Sequence, residues 1–194
     1  MSNLEYLAAA LGLFNIVLLV RRSLWNYPFG IAMVALYFFI FAEEKLYSDM
    51  LLQVFFLIVQ LYGWRNWVRG RDTGGALIVE RLSHRAVFYW VLGIAIATAL
   101  WGWLMHRFTD AAFPWWDASV AMISIAAQIL LSRRYIENWP LWVLVDADAL
   151  LLYHVKGLEV TAGLYALFLA VAAWGWYEWV RVAQTLDGKE TKAA

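Results

Sequence analysis

Cysteine is absent from the 194 residues, so the chain can form no disulfide, no thiolate metal site and no cysteine nucleophile. Histidine occurs only at His84, His106 and His154, a scatter that suits no metal centre. Charge is scarce as well: 15% of the residues are charged, and 15 basic side chains cancel 15 acidic ones. Zero net charge leaves no polybasic groove, which excludes nucleic acid as a partner. The glycine–lysine phosphate loop, HExxH and GxSxG are all missing, so no cofactor is implied and the chain is not expected to be an enzyme.

What is abundant is apolar surface. Hydrophobic residues make up 64% of the chain, aromatics 18%, with 13 Trp, and the mean hydropathy is +0.62. A soluble domain holds about 45–50% apolar and roughly 25% charged residues. A 22.3 kDa chain is too small to hide the excess in one core. The solvent for most of this surface is therefore lipid, and the expected class is an all-α integral membrane protein.

Seven segments have the length and polarity of a span: 4–20, 24–42, 48–68, 86–105, 115–132, 139–155 and 159–180. The three prolines, Pro28, Pro114 and Pro140, all fall where a span begins, a position that tolerates a missing N–H. The N-terminus lacks a signal-peptide pattern, so the first span is expected to stay. Of the 15 Lys and Arg residues, all but Lys45, Arg107 and Lys156 lie on one side of these spans. That bias puts the N-terminus outside and the C-terminus in the cytoplasm of a cell inner membrane.

Sliding the chain by 112 residues aligns 4–69 with 116–181 without a gap. Arg21-Arg22 meets Arg133-Arg134, Asn26 meets Asn138, Pro28 meets Pro140, Leu46 meets Leu158 and Phe56 meets Phe168. YGWRNWVR (62–69) meets WGWYEWVR (174–181), superposing Gly63 on Gly175, Trp64 on Trp176 and Trp67 on Trp179. The expected organisation is a three-helix repeat (1–69), a cytoplasmic linker with Gly74-Gly75 and a fourth helix (70–114), a second repeat (115–181) and a tail (182–194) that is disordered from Asp187. An odd helix between two triplets restores their orientation, giving 3+1+3 parallel repeats. Parallel repeats of this kind occur in transporters, with the solute site near the midplane between them.

Asp146 and Asp148 sit inside the sixth span, where a carboxylate costs roughly 2.5–3.5 kcal/mol and marks a cavity or a partner. Helical spacing puts Asp146 on one stripe with Trp139, Trp142, Ala149 and Tyr153, while Asp148 falls on another face. Asp146 is thus the candidate for a solute or proton role, and Asp148 for a structural bond. An aromatic pair beside a carboxylate suits a flat cation. Span three carries a stripe of Asp49, Gln53, Phe56, Gln60, Trp64 and Trp67, and span seven the equivalent Thr161, Tyr165, Phe168, Ala172, Trp176 and Trp179. Gln53 and Gln60 serve either as interhelical glue or as solute contacts. Asn15 and Gln128 are further inward candidates. Trp64, Trp67, Trp176 and Trp179 near the cytoplasmic span ends, and Trp101, Trp103, Trp115 and Trp116 near the outer ends, are expected in interfacial belts.

The stretch ENWPLWVLVDADALLLYHVKGLEVTAGLYALFLAVAAWGWYEW (137–179), with DMLLQVFFLIVQLYGWRNW (49–67), resembles the PnuC family of bacterial vitamin transporters. The resemblance covers nearly the whole chain and implies a SWEET-like fold, a homotrimer, and facilitated diffusion of nicotinamide riboside drawn by a trapping cytoplasmic kinase. It puts the family's tryptophan pair on Trp139 and Trp142 and its span-three glutamine on Gln53. Thiamine and riboflavin are carried by related branches. The expected solute site comprises Trp139, Trp142, Asp146, Gln53, Gln60 and Tyr165, with no metal. A carboxylate at Asp146 favours a cation, which both nicotinamide riboside and thiamine are. Proton coupling through Asp146 or Asp148, and a receptor that binds without transport, are the competing readings.

Overall fold

The structure, a computed structural model, describes residues 3–43, 47–71, 75, 77–110, 113–155 and 159–193. Lys45, Leu46, Gly74, Lys156 and Leu158 lie outside these residues, as do the side chains of Asp49, Tyr153 and Thr161. Among the described residues the chain is all helical: α1 (Asn3–Val20), α2 (Asn26–Glu43), α3 (Tyr47–Arg69), α4 (His84–Phe108), α5 (Pro114–Ser132), α6 (Asn138–Val155) and α7 (Glu159–Ala193). Two isolated bridges, Arg71 with Leu77 and Glu80 with Tyr135, are the β-type pairing among them. Two compact units result, Met1–Ile78 with Ser132–Arg134, and Val79–Leu131 with Tyr135–Ala194.

In the first unit α2 packs on α1 and α3. The chain leaves α1 through a left-handed residue, Arg22 (φ 55°), while Ser23 N–H donates to Leu18 C=O and Arg22 N–H to Leu19 C=O. This closure uses carbonyls that a helix end leaves unpaired. Asn26 then donates through both its backbone N–H and its Nδ2 to Ser23 C=O, starting α2 two residues before Pro28. Tyr27, buried, turns inward and meets Trp67 edge-on, with ring centroids 5.4 Å apart at 89°. Gly63 makes room for it: a Cβ there would lie 2.8 Å from the Tyr27 hydroxyl.

The same corner recurs 112 residues on, within the second unit except for its pivot. Arg134 is left-handed (φ 67°), Tyr135 N–H donates to Leu130 C=O, and Asn138 donates through N–H and Nδ2 to Tyr135 C=O. Trp139 stands where Tyr27 stood, edge-on to Trp179 at 5.6 Å and 76°, with Gly175 beneath its ring. Here α6 packs on α7. Buried alanines at Ala118, Ala126, Ala127, Ala149, Ala162 and Ala172 let helices approach closely, as lipid-embedded packing requires when water supplies no driving force.

Helix α4 is the opposite case. Only Gly102 is buried along it, under the Trp115 ring, while Phe88, Tyr89, Val91, Leu100 and Phe108 are exposed. Helices α4 and α5 are each long and apolar enough to cross a bilayer; the apolar stretches Ala10–Val20 and Asn26–Ile40 are shorter.

Two expectations are corrected. Trp67 and Trp179 are not belt residues, because both are fully buried as partners of Tyr27 and Trp139; Trp64 and Trp176 are exposed as a belt requires. The tail is not disordered from Asp187, since α7 runs on to Ala193. Its Gln, Glu, Lys and Ala residues are strong helix formers, and extending an existing helix avoids the cost of nucleation.

A Cβ on Gly175 would fall 2.4 Å from rigid ring atoms of Trp139, whereas on Gly63 it would meet mainly the tip of Tyr27. Gly175→Ala is expected to destabilise by about 1–3 kcal/mol and Gly63→Ala by less. Adding Trp139→Tyr, the first unit's own residue, should recover part of the loss. Apparent Tm of the detergent-purified variants checks this order.

Candidate functional site

The predicted stripe on α6 is the buried face of that helix. Trp139 is 2% exposed, Asp146 6%, and Ala149 is sealed. Their engagement differs sharply. Trp139 has one face and edge committed to Gly175 and Trp179, which makes it a pillar of the α6–α7 corner. Trp142, one turn on and half-buried, makes no ring contact among the described residues. Asp146 has no hydrogen bond or ion pair among the described residues either. An indole and a carboxylate four residues apart on one helix face thus both lack a partner among the described residues. Tyr165, on α7, is half-buried and T-shaped to Phe168 at 5.8 Å.

Asp148 behaves in the opposite way. Its Oδ1 accepts from Trp116 Nε1, and its Oδ2 accepts from the Ser119 hydroxyl at 2.7 Å. Both donors are on α5, at i and i+3, the spacing that puts two side chains on one helix face. Two carboxylates two residues apart therefore have separate fates: one saturated, one open. The sequence separates their faces, but it puts Trp116 in the interfacial belt, which its bond to Asp148 corrects, and it does not single out Ser119. The signal available was that spacing beside a span holding an unexplained carboxylate.

In the first unit Gln53 and Gln60 are both buried, at 9% and 7% exposure. The Gln60 carboxamide oxygen and the Asn15 amide nitrogen converge on the Cα of Gly30, where a Cβ would come within 2.3 Å and 2.7 Å of them. Asn15 also donates to Asn26 C=O, tying α1 to α2. Gly30 was not singled out by the sequence, yet its repeat position shows why it matters. It corresponds to Trp142, while Asn15 and Gln60 correspond to Ala127 and Ala172. Where one unit has amides around a glycine, the other has a tryptophan with alanines. Gln128 is half-buried on α5 and joins neither group.

Among the described residues no cluster of three potential metal ligands occurs. The second unit offers an aromatic face and a carboxylate with no partner among those residues; the first unit separately buries two carboxamides.

Comparison with known proteins finds transporters. The nicotinamide riboside transporter PnuC of Escherichia coli (strain K12) is 29% identical over 209 residues, covering 95% of this chain and 87% of that one. The protein of the same name from Neisseria mucosa is 29% identical over 201 residues, covering 97% and 76%. The riboflavin/roseoflavin transporter RibM of Streptomyces davaonensis is 29% identical over 175 residues, covering 87% and 80%. The crystal structure of the vitamin B3 transporter PnuC matches with a TM-score of 0.75 at 25% identity, covering 94% of this chain and 82% of that one. The family profile described as nicotinamide mononucleotide transporter matches residues 2–181. With the fold and a profile match of this length in agreement, the chain belongs to that family of membrane transporters.

Proposed function

We propose that this chain carries nicotinamide riboside across the inner membrane by facilitated diffusion. The observation that carries the reading is the Asp146 carboxylate, buried, without a partner among the described residues, and one helical turn from the Trp142 ring, which has no ring contact among them. A buried charge without a partner is costly, and a permanently cationic ring supplies what is missing. Nicotinamide riboside is such a ring. Trp142 stacks on the pyridinium by cation–π attraction, and Asp146 balances its charge. Tyr165 serves the sugar hydroxyls, and Gln53 and Gln60 of the first unit are further proposed solute contacts. Trp139 acts from behind, holding the start of α6.

The organisation proposed with this role is a SWEET-like 3+1+3 arrangement of seven spans around a midplane site, N-terminus outside, assembled as a homotrimer. Uniport needs a sink, which a cytoplasmic kinase trapping the solute provides. Thiamine is the second reading, since its thiazolium satisfies the same carboxylate. The neutral flavin of the RibM relative does not.

Titration of the purified protein with nicotinamide riboside, thiamine and riboflavin is expected to rank nicotinamide riboside first. Asp146→Asn should weaken it about 10- to 100-fold, the value of a hydrogen-bonded charge contact, with folded yield unchanged. Selective riboflavin binding, or an indifferent Asp146→Asn variant, would sink the cation argument.

In liposomes enclosing a nicotinamide riboside kinase and ATP, uptake should proceed unchanged when an uncoupler collapses the proton gradient. Loss of uptake there would assign proton coupling. Binding with no flux at all would assign a receptor.

A further inference from the structure

Asp148 is a carboxylate at membrane depth that the transport reading leaves unused. Both of its oxygens are occupied, one by the Trp116 indole N–H and one by the Ser119 hydroxyl, and both donors come from α5. Phe113 braces the Trp116 ring at 6.1 Å and 86°. Successive residues of an α-helix are turned by about 100°, so Asp146 and Asp148 are about 200° apart around α6. A helix held by Asp148 on the side facing α5 presents Asp146 on the opposite side.

We propose that Asp148 is a positioning residue for solute recognition: by its two bonds to α5 it fixes the rotation of α6 about its own axis and so aims Asp146 at the cation. The proposal rests on the reading that Asp146 meets the cation. Asp148 does this through hydrogen-bonding shape and not through its charge. Asparagine can preserve the clamp. Its Oδ1 accepts from Trp116, and its Nδ2 donates to Ser119, whose own proton turns to the Trp116 carbonyl, already 2.8 Å away. Leucine, of similar size, can do neither.

The test measures the affinity of the full-length purified protein for nicotinamide riboside, with monodispersity on size exclusion as the folding control. Asp148→Asn is expected to bind within about twofold of the parent. Asp148→Leu and Trp116→Phe should each bind about tenfold more weakly, about 1.4 kcal/mol. In an Asp146→Asn background, Trp116→Phe should cost nothing further, because no carboxylate remains to be aimed. The indole N–H resonance of Trp116 should keep its hydrogen-bonded shift in Asp148→Asn and lose it in Asp148→Leu.

Equal losses in Asp148→Asn and Asp148→Leu would overturn the proposal by showing that the charge itself is sensed. Additive losses of Trp116→Phe and Asp146→Asn would overturn it too, as Trp116 would then act independently. If Asp148→Leu fails to fold, the Trp116→Phe and Asp146→Asn pair decides alone. A harmful Asp146→Asn with a harmless Trp116→Phe removes only the clamp. A harmless Asp146→Asn removes the underlying recognition reading, and the clamp with it.

Discussion

A polar group inside hydrocarbon has no water to turn to, and the placement of nearly every informative residue here follows from that. Asp148 is tolerated because an indole and a hydroxyl saturate it. Asn15 spends its amide on the carbonyl of Asn26, and the corner asparagines spend theirs on the carbonyls of Ser23 and Tyr135. The buried Trp139 Nε1 and Asn138 Oδ1 have no hydrogen-bond partner among the described residues, and neither has Asp146, the one of these three that can carry a charge. In the function proposed above, a flat cation covered by Trp142 answers that deficit.

The duplicated corners provide rigidity, and the differences between them provide chemistry. An inward aromatic on a glycine, edge-on to a tryptophan, recurs as Tyr27–Gly63–Trp67 and Trp139–Gly175–Trp179. Nothing in that triad needs to differ for a solute to pass. One turn further, the units diverge completely, with amides around Gly30 in one and Trp142 in the other. Bulk has moved from the flanking helices to the middle helix, so one unit offers hydrogen bonds where the other offers a ring. In the function proposed above, that asymmetry matches an asymmetric solute.

Much of this was legible beforehand because the membrane simplifies the code. Span boundaries fall within about three residues of the helices, since length, hydropathy and first-turn prolines all point the same way. The one clear departure, the run of α7 to Ala193, is a matter of helix propensity in a polar segment that hydropathy does not weigh. Asp146 and Asp148 were separable because helical spacing is rigid. Their partners were not, because a contact with α5 depends on which faces of two helices meet, and no single helix records that. The same blindness put Trp67 and Trp179 at the lipid interface: an aromatic near a span end reads as a belt residue until its partner is seen. Tyr27 was the missing cue, aligned with Trp139 between two matched neighbours, Asn26 and Pro28.

Both corners turn through an arginine held in the left-handed region, Arg22 and Arg134, where glycine would sit without strain. A residue with a Cβ gives up about 1–2 kcal/mol there. The two halves have drifted apart over most of their length, and neither has taken the relaxed alternative. A glycine would turn the chain equally well, but it would remove one of the two adjacent arginines at each reversal, Arg21-Arg22 and Arg133-Arg134. Both corners keep the left-handed residue at that cost, and in each the residue after it reaches back five positions, Ser23 to Leu18 C=O and Tyr135 to Leu130 C=O.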